Sequence, residues 1–154
     1  MNSSNVTVEQ IVHEVDDLHN LFLAWYAGKP AKNRDWYDLN IAARMDTQFS
    51  IVSPSGITLA RDEILTLIYE GHGQSKEFRI NTRNGKLLRR DGDIVLVSYE
   101  EWQHHAVNSP ASQNGRISTA LLAVDEAQPN GLRWLHVHET WLPDEIQKTG
   151  NYDF

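Results

Sequence analysis

Apolar residues in the first part of the chain recur with a helical period. Ile11, Val15, Leu18, Phe22 and Trp25 fall three or four positions apart and share one face. Thr7 followed by Gln10 reads as a capping box at the start of this helix. Gly28 and Pro30 end it, the first as a left-handed cap residue and the second as a breaker. A second, shorter helix is predicted from about Arg34 to Arg44, with Trp36, Leu39 and Ala43 on one face. "QFSIVSPSGI" alternates and then turns at Pro54-Ser55-Gly56, the pattern of a short strand pair. A third helix covers "ARDEILTLIYEG". Asp62 and Glu63 lie in its first turn, where the helix dipole favours negative charge, and Gly71 lies at its end.

From Phe78 onward the period shortens to two. "DIVLVSYEEWQHHAV", "RISTALLAV" and "LRWLHVHETWL" are rich in β-branched and aromatic residues, and the turn-rich stretches "NSPASQNG" and "DEAQPNG" separate them. Short connections make antiparallel neighbours, so this half is predicted to be a meander. Asn84-Gly85, between "FRINTR" and "KLLRR", reads either as a hairpin turn or as a bulge in one long strand. Along Ile94 to His105 one face has Val95, Val97, Tyr99, Glu101 and Gln103, and the other has Ile94, Leu96, Ser98, Glu100 and Trp102. Both faces begin apolar, whereas a sheet with one wet face alternates cleanly. Both are therefore expected to be covered, one by the helices and the other by a second subunit, which makes the chain a homodimer.

Composition narrows the function classes. At 154 residues the chain is one domain long, and no repeat or linker divides it. Its net charge of −7 argues against nucleic acid, which needs a concentrated basic face. Arg79, Arg83, Lys86, Arg89 and Arg90 cluster locally but lack interleaved stacking aromatics, so they read as a solvated strand face. The absence of cysteine removes disulfides, Cys–zinc sites and thiol nucleophiles. "MNSSNVTVEQ" has neither the basic nor the apolar region of a signal peptide, and no apolar run approaches the ~20 residues of a membrane span. A soluble, cytoplasmic protein with no membrane partner is expected.

Three stretches carry a resemblance. "MDTQFSIVSPSGITLARDEIL" resembles the helix-to-strand passage of the nuclear-transport-factor-2-like, or SnoaL-like, superfamily, and "GDIVLVSYEEW" resembles its first long strand. "LHVHETW" resembles the His-x-His terminal strand of the calcium/calmodulin-dependent kinase II association domain and its small bacterial relatives. The likeness spans roughly residues 8 to 143, with tails at 1–6 and 144–154. It implies an α+β fold in which a cone-shaped, curved antiparallel sheet wraps an N-terminal helix, with three helices and a conical pocket. It also favours the bulged reading of Asn84-Gly85. The superfamily includes cofactor-free cyclases, isomerases and dehydratases alongside proteins that only bind or assemble. Where the association domains carry a pocket arginine two residues after the strand tyrosine, here Tyr99, this chain has Glu101, which reverses the charge.

The candidate chemistry follows from these faces. Glu101, beside Val95, Val97 and Tyr99 inside a cone, is expected to be desolvated, and desolvation raises a carboxylate towards the range useful for a general base. Tyr99 would donate to a developing oxyanion. Gln103 lines the same face, and Trp25, Phe49 and Tyr69 are candidates to narrow the pocket or to form ordinary core. His136 and His138 share a strand face and are candidates to line the pocket wall and assist, while Glu139 points to the other face. The strand register decides which of them joins Glu101. His-x-His ends the last strand and leaves no later strand to complete a metal site, so no metal is expected. The expected ligand is a small hydrophobic molecule. Proton-transfer chemistry beside a carbonyl would need no cofactor, and the alternative is a non-catalytic binding or dimerisation module.

Overall fold

The first helix, α1 (Val8–Tyr26), forms as its spacing predicts in the computed structural model, which describes residues 5–154. The expected N-terminal tail lies outside the described residues as far as residue 4, while Val6 packs into the core. Thr7 Oγ1 accepts the Gln10 backbone N–H at 3.1 Å, which satisfies one of the open donors of the first turn. The reciprocal half of the capping box is not made, because the Gln10 side chain donates instead to the Asn130 carbonyl at 2.8 Å. Gly28 ends the helix with φ +72°, the left-handed conformation that glycine adopts without penalty.

The second helix, α2 (Arg34–Asn40), is shorter than expected and gives way to a 3-10 turn at Ala42–Arg44. Its packed face is also shifted. Tyr37 and Ile41 are buried, whereas Leu39 is 76% exposed. The Asn40 side chain donates to the Trp36 carbonyl, and a side-chain bond of this kind competes with the helix's own ladder. A tight β1 (Met45–Val52) and β2 (Thr58–Ala60) hairpin follows, closed by the turn at residues 53–57. Then α3 (Arg61–Glu70) begins with Glu63 accepting the Ala60 N–H at 3.0 Å.

The strands β3 (Arg79–Asp91), β4 (Ile94–His104), β5 (Asn114–Val124) and β6 (Leu132–Trp141) form the expected meander. The six strands make one curved sheet in the order β2-β1-β6-β5-β4-β3. All neighbours are antiparallel except β1 and β6, which pair in parallel. Asn84-Gly85 is a bulge inside β3, marked by the shift of register between Arg83 and Lys86. Gly85 lies against α1 there, where a Cβ would stand 2.9 Å from Val12 Cγ2. The bulge bends the long strand around the helix, as extra residues in one strand do.

The concave face of the sheet meets α1 in the core. Trp25 donates to the Ile68 carbonyl at 3.0 Å, and Trp134 donates to Glu14 at 2.8 Å. Glu14 is fully buried and also accepts from Arg44 (2.7 Å) and Asn130 (3.0 Å), so its charge is paired and its oxygens are bonded. On the convex face Ile94, Ile117 and Leu88 are exposed. Trp102, which the sequence also assigns to that face, is covered by the chain's own C-terminal segment. There a fourth helix, α4 (Asp144–Lys148), stands in the stretch expected to be a tail beyond three helices. It leads to Tyr152, edge-on to Trp102, and the Arg83 guanidinium lies 4.6 Å from the Trp102 ring. No helix among the described residues is long and apolar enough to cross a membrane.

Candidate functional site

Between α1, the β1–β2 hairpin, α3 and the concave sheet lies a cavity of about 610 Å³. Its walls are mainly apolar, from Leu18, Phe22, Phe49, Ile51, Ile64 and Val137. Ile57 and Leu67, 60% and 53% exposed, stand among its lining residues on the solvent side. Its charged side chains and the Gln103 amide come from α1 and from the far ends of β4, β5 and β6: His19, Glu101, Gln103, Arg116 and Glu139. Register brings them together. Glu101 pairs with Arg116 across β4 and β5, and Ser118 faces both Tyr99 and Glu139 on the neighbouring strands.

A continuous hydrogen-bond chain links these groups. His19 Nδ1 lies 2.6 Å from the Val15 carbonyl, and Nε2 lies 3.0 Å from Glu101 Oε1. The Val15 carbonyl can only accept, so Nδ1 donates; with Glu101 ionised Nε2 donates as well, and the imidazole is the charged form. Gln103 donates to the other Glu101 oxygen at 2.5 Å, Asn114 donates to Gln103 at 3.2 Å, and Arg116 donates to Asn114 at 3.1 Å. Arg116 also reaches Glu139 at 3.4 Å. Two buried atoms beside this chain, Arg116 Nε and Ser118 Oγ, have no hydrogen-bond partner among the described residues.

The chain sorts the protons of the site. Burial alone would discharge His19, but the Glu101 carboxylate outweighs it and raises the imidazole above its ordinary value. Burial also favours neutral Glu101, yet the His19 charge and hydrogen bond, with Arg116 and Gln103 behind them, hold this carboxyl well below the usual range. The sequence expectation for Glu101 is thus reversed, because desolvation meets a buried cation from α1. Glu139 has the raised value instead. Burial and then the Glu101 charge push it up to about 7, against the opposing pull of Arg116. Tyr99 is raised well above its ordinary value, first by burial and then by both carboxylates, so it stays a neutral donor.

Of the residues singled out in the sequence, Tyr99, Glu101, Gln103, Glu139 and Phe49 line the cavity. Trp25 and Tyr69 do not. They belong to an aromatic cluster with Trp36 and Tyr37 behind the cavity wall, where Trp25 stacks on Trp36 at 5.7 Å. His136 and His138 lie on the convex side, half-buried and exposed respectively, with His136 Nδ1 2.8 Å from Ser50 Oγ. A break in the β5–β6 register between Leu121 and Leu122 puts Trp134, Val137 and Glu139 all on the buried side, so the histidines alternate outward. Among the described residues no cluster of three or more His, Cys, Asp or Glu side chains is arranged to hold a metal ion.

Sequence reasoning passed over His19 and Arg116. His19 had a signal, since it stands four after Val15 and three before Phe22 as a titratable group on the apolar stripe of α1. Arg116 alternates with Ser118, Ala120 and Leu122, the same polar-then-apolar order as Gln103, Glu101, Tyr99 and Val97 on the antiparallel β4.

The family model described as sucrose-6-phosphate phosphohydrolase C-terminal matches residues 11–143. Sucrose-phosphatase 2 of Nicotiana tabacum is 31% identical over 147 residues, covering 92% of this chain and 33% of that protein. Sucrose-phosphatase 1 of the same plant is 29% identical over 133 residues, covering 84% and 30%. The chain therefore spans about a third of the length of these curated relatives. Among solved structures, an NTF2-like protein of unknown function from Pseudomonas aeruginosa superposes with a TM-score of 0.72 at 27% identity, over 87% of this chain and 99% of that one. The CaMKII hub of S. rosetta superposes with a TM-score of 0.64 at 12% identity, over 90% and 99%, a likeness of fold alone. With a match that runs from the first turn of α1 to just past β6, the chain belongs to the sucrose-6-phosphate phosphohydrolase C-terminal family, on a nuclear-transport-factor-2-like fold.

Proposed function

We propose that this domain binds a small, largely apolar molecule in its cavity and moves a proton on it without a cofactor, in an isomerisation, cyclisation or dehydration beside a carbonyl. One observation carries the reading: two carboxyls, Glu101 and Glu139, share a buried floor where their surroundings drive their proton affinities apart. Paired groups separated in this way are what acid–base chemistry near neutral pH requires. Glu139 takes and returns the proton, ionised Glu101 with His19 sets the local charge, and Tyr99 donates to the oxygen on which charge develops.

The probe is 5-nitrobenzisoxazole, which opens when a base removes its ring C–H proton and the N–O bond breaks to a phenolate. The protein is expected to accelerate this opening by about 100-fold over buffer. The rate should rise with pH around a midpoint near 7, because the base acts only when deprotonated. Glu139→Gln should abolish the acceleration while the cavity still takes up a fluorescent apolar dye. An unchanged rate in that variant overturns the assignment.

A second reading is favoured by the relatives themselves, in which the matching segment is only about a third of a longer phosphatase. Under it the domain is a binding or assembly module, the dye still binds, and no opening is catalysed by the wild-type protein. In both readings we propose that a second copy covers the convex face around Ile94 and Ile117. Sedimentation showing only monomer at micromolar concentration would exclude that.

A further inference from the structure

The charges at the cavity floor define the class of ligand. His19, bonded to the Val15 carbonyl and to Glu101, is held as an imidazolium by the Glu101 charge. Arg116 is a guanidinium, and the two face one ionised carboxylate, Glu101. Among the described residues Glu139 is held only by the long 3.4 Å contact to Arg116, and one of its oxygens accepts no hydrogen bond from them. When Glu139 is protonated the floor therefore has one positive charge in excess and an acid O–H directed at the cavity. Above the floor the walls are apolar, through Phe22, Phe49 and Ile51 to the exposed Ile57 and Leu67.

We infer that the ligand is an amphipathic monoanion, a carboxylate or a group of equivalent charge and size. Its head lies between Arg116 and Glu139 and its apolar body runs out towards Ile57 and Leu67, and its binding takes up a proton on Glu139. This rests on the cavity being a small-molecule site, as proposed above. The proton is shared between Glu139 and the ligand's carboxylate, since like charges at hydrogen-bond distance do not both stay ionised. The groups that bear on Glu139 are Arg116 from β5, Glu101 and Tyr99 from β4, and His19 from α1. Of these only Arg116 and His19 are cations, and His19 already serves Glu101. An added anion therefore shifts Glu139 further towards its neutral form. Towards this ligand Glu139 is thus the acid that holds and gives the proton, and it is a base only towards an uncharged compound such as the benzisoxazole probe.

The experiment is calorimetric titration of the wild-type chain with decanoate and with its neutral amide, decanamide, in two buffers of different ionisation heat. At about pH 6 decanoate is expected to bind at least tenfold tighter than decanamide, with little proton uptake because Glu139 is already protonated. At about pH 8.5 its affinity should fall by about tenfold per pH unit, with about one proton taken up per ligand. Glu139→Gln, which keeps a neutral donor of the same shape, should bind decanoate without that pH dependence. Arg116→Gln should lose the preference for the acid, with its melting curve checked to show that it is folded. Equal binding of acid and amide, or a pH-independent wild type, overturns the monoanion assignment and leaves the cavity reading standing. If neither compound binds, the cavity reading falls with it.

Discussion

Glu101 and Glu139 are the same residue type at the same cavity floor, yet they hold their protons oppositely because the His19 cation stands against only one of them. The difference has a stability consequence whose sign follows from linkage. Glu139 rises from its ordinary 4.5 to about 7 in the folded protein, so the folded state binds a proton that the unfolded chain has released. Stability therefore falls as pH climbs through this window and levels off above it. Glu139→Gln should remove that loss, with a gain of roughly 3–4 kcal/mol above the window and none below it, at ~1.4 kcal/mol for each tenfold change in proton affinity. Denaturant melts across the pH range read this out, and parallel curves for the two proteins would contradict it. His19, also raised, adds the same slope, since its pairing is lost as pH rises through its folded value. His19→Leu is expected to cost about 3 kcal/mol, because it leaves a buried carboxylate without its cation. The double substitution His19→Leu with Glu101→Leu should recover most of that loss. If the double variant is less stable than the single one, the pair is not the reason. Of this site the sequence showed the polar residues of β4 but not their charge states, which depend on a helix residue 82 positions away.

At the scale of elements, helices and strands were legible because their periods are local properties of the chain. Thr7, Gly28 and the Pro54-Ser55-Gly56 turn mark boundaries that the structure keeps. The exceptions are also local. In α2 the apolar face was read from Trp36, Leu39 and Ala43, whereas packing selects Tyr37 and Ile41, with the Tyr37 hydroxyl donating to the Leu65 carbonyl of α3. A helix of seven residues has too few turns for periodicity to choose between adjacent stripes. The β3 bulge makes an element-scale prediction. Gly85→Ala would put a Cβ 2.9 Å from Val12 Cγ2 and is expected to destabilise the fold by about 1–3 kcal/mol through overpacking. Val12→Ala in the same chain should relieve most of that cost. Chemical denaturation of the single and double variants checks it, and strictly additive losses would mean that the contact is not the cause.

At the scale of the whole molecule, the curved sheet encloses α1 on one side and leaves an apolar strip on the other. Ile117→Glu, on the exposed face of β5, is expected to convert a dimer to monomer in sedimentation without changing the circular dichroism spectrum. A wild-type monomer, or a variant that sediments as the wild type does, would show that the strip is not an interface. Part of the convex face expected to need a partner is closed within the chain, since Tyr152 and Arg83 cap Trp102. By itself the sequence determined the order of elements from α1 to β6, the meander, the alternating row from Val95 to Gln103 and the absence of thiol chemistry, which follow from local periods and composition. That this row faces inward was implied by the family resemblance, and α4 was not read. Only the tertiary structure decided the parallel pairing of β1 with β6, the outward turn of His136 and His138, and the register that sets Arg116 against Glu101. Loops of irregular backbone separate those strands, so no periodicity crosses them. A carboxyl's proton affinity is likewise set by whichever charges the fold brings beside it in a dry interior, and nothing local to Glu101 or Glu139 encodes His19.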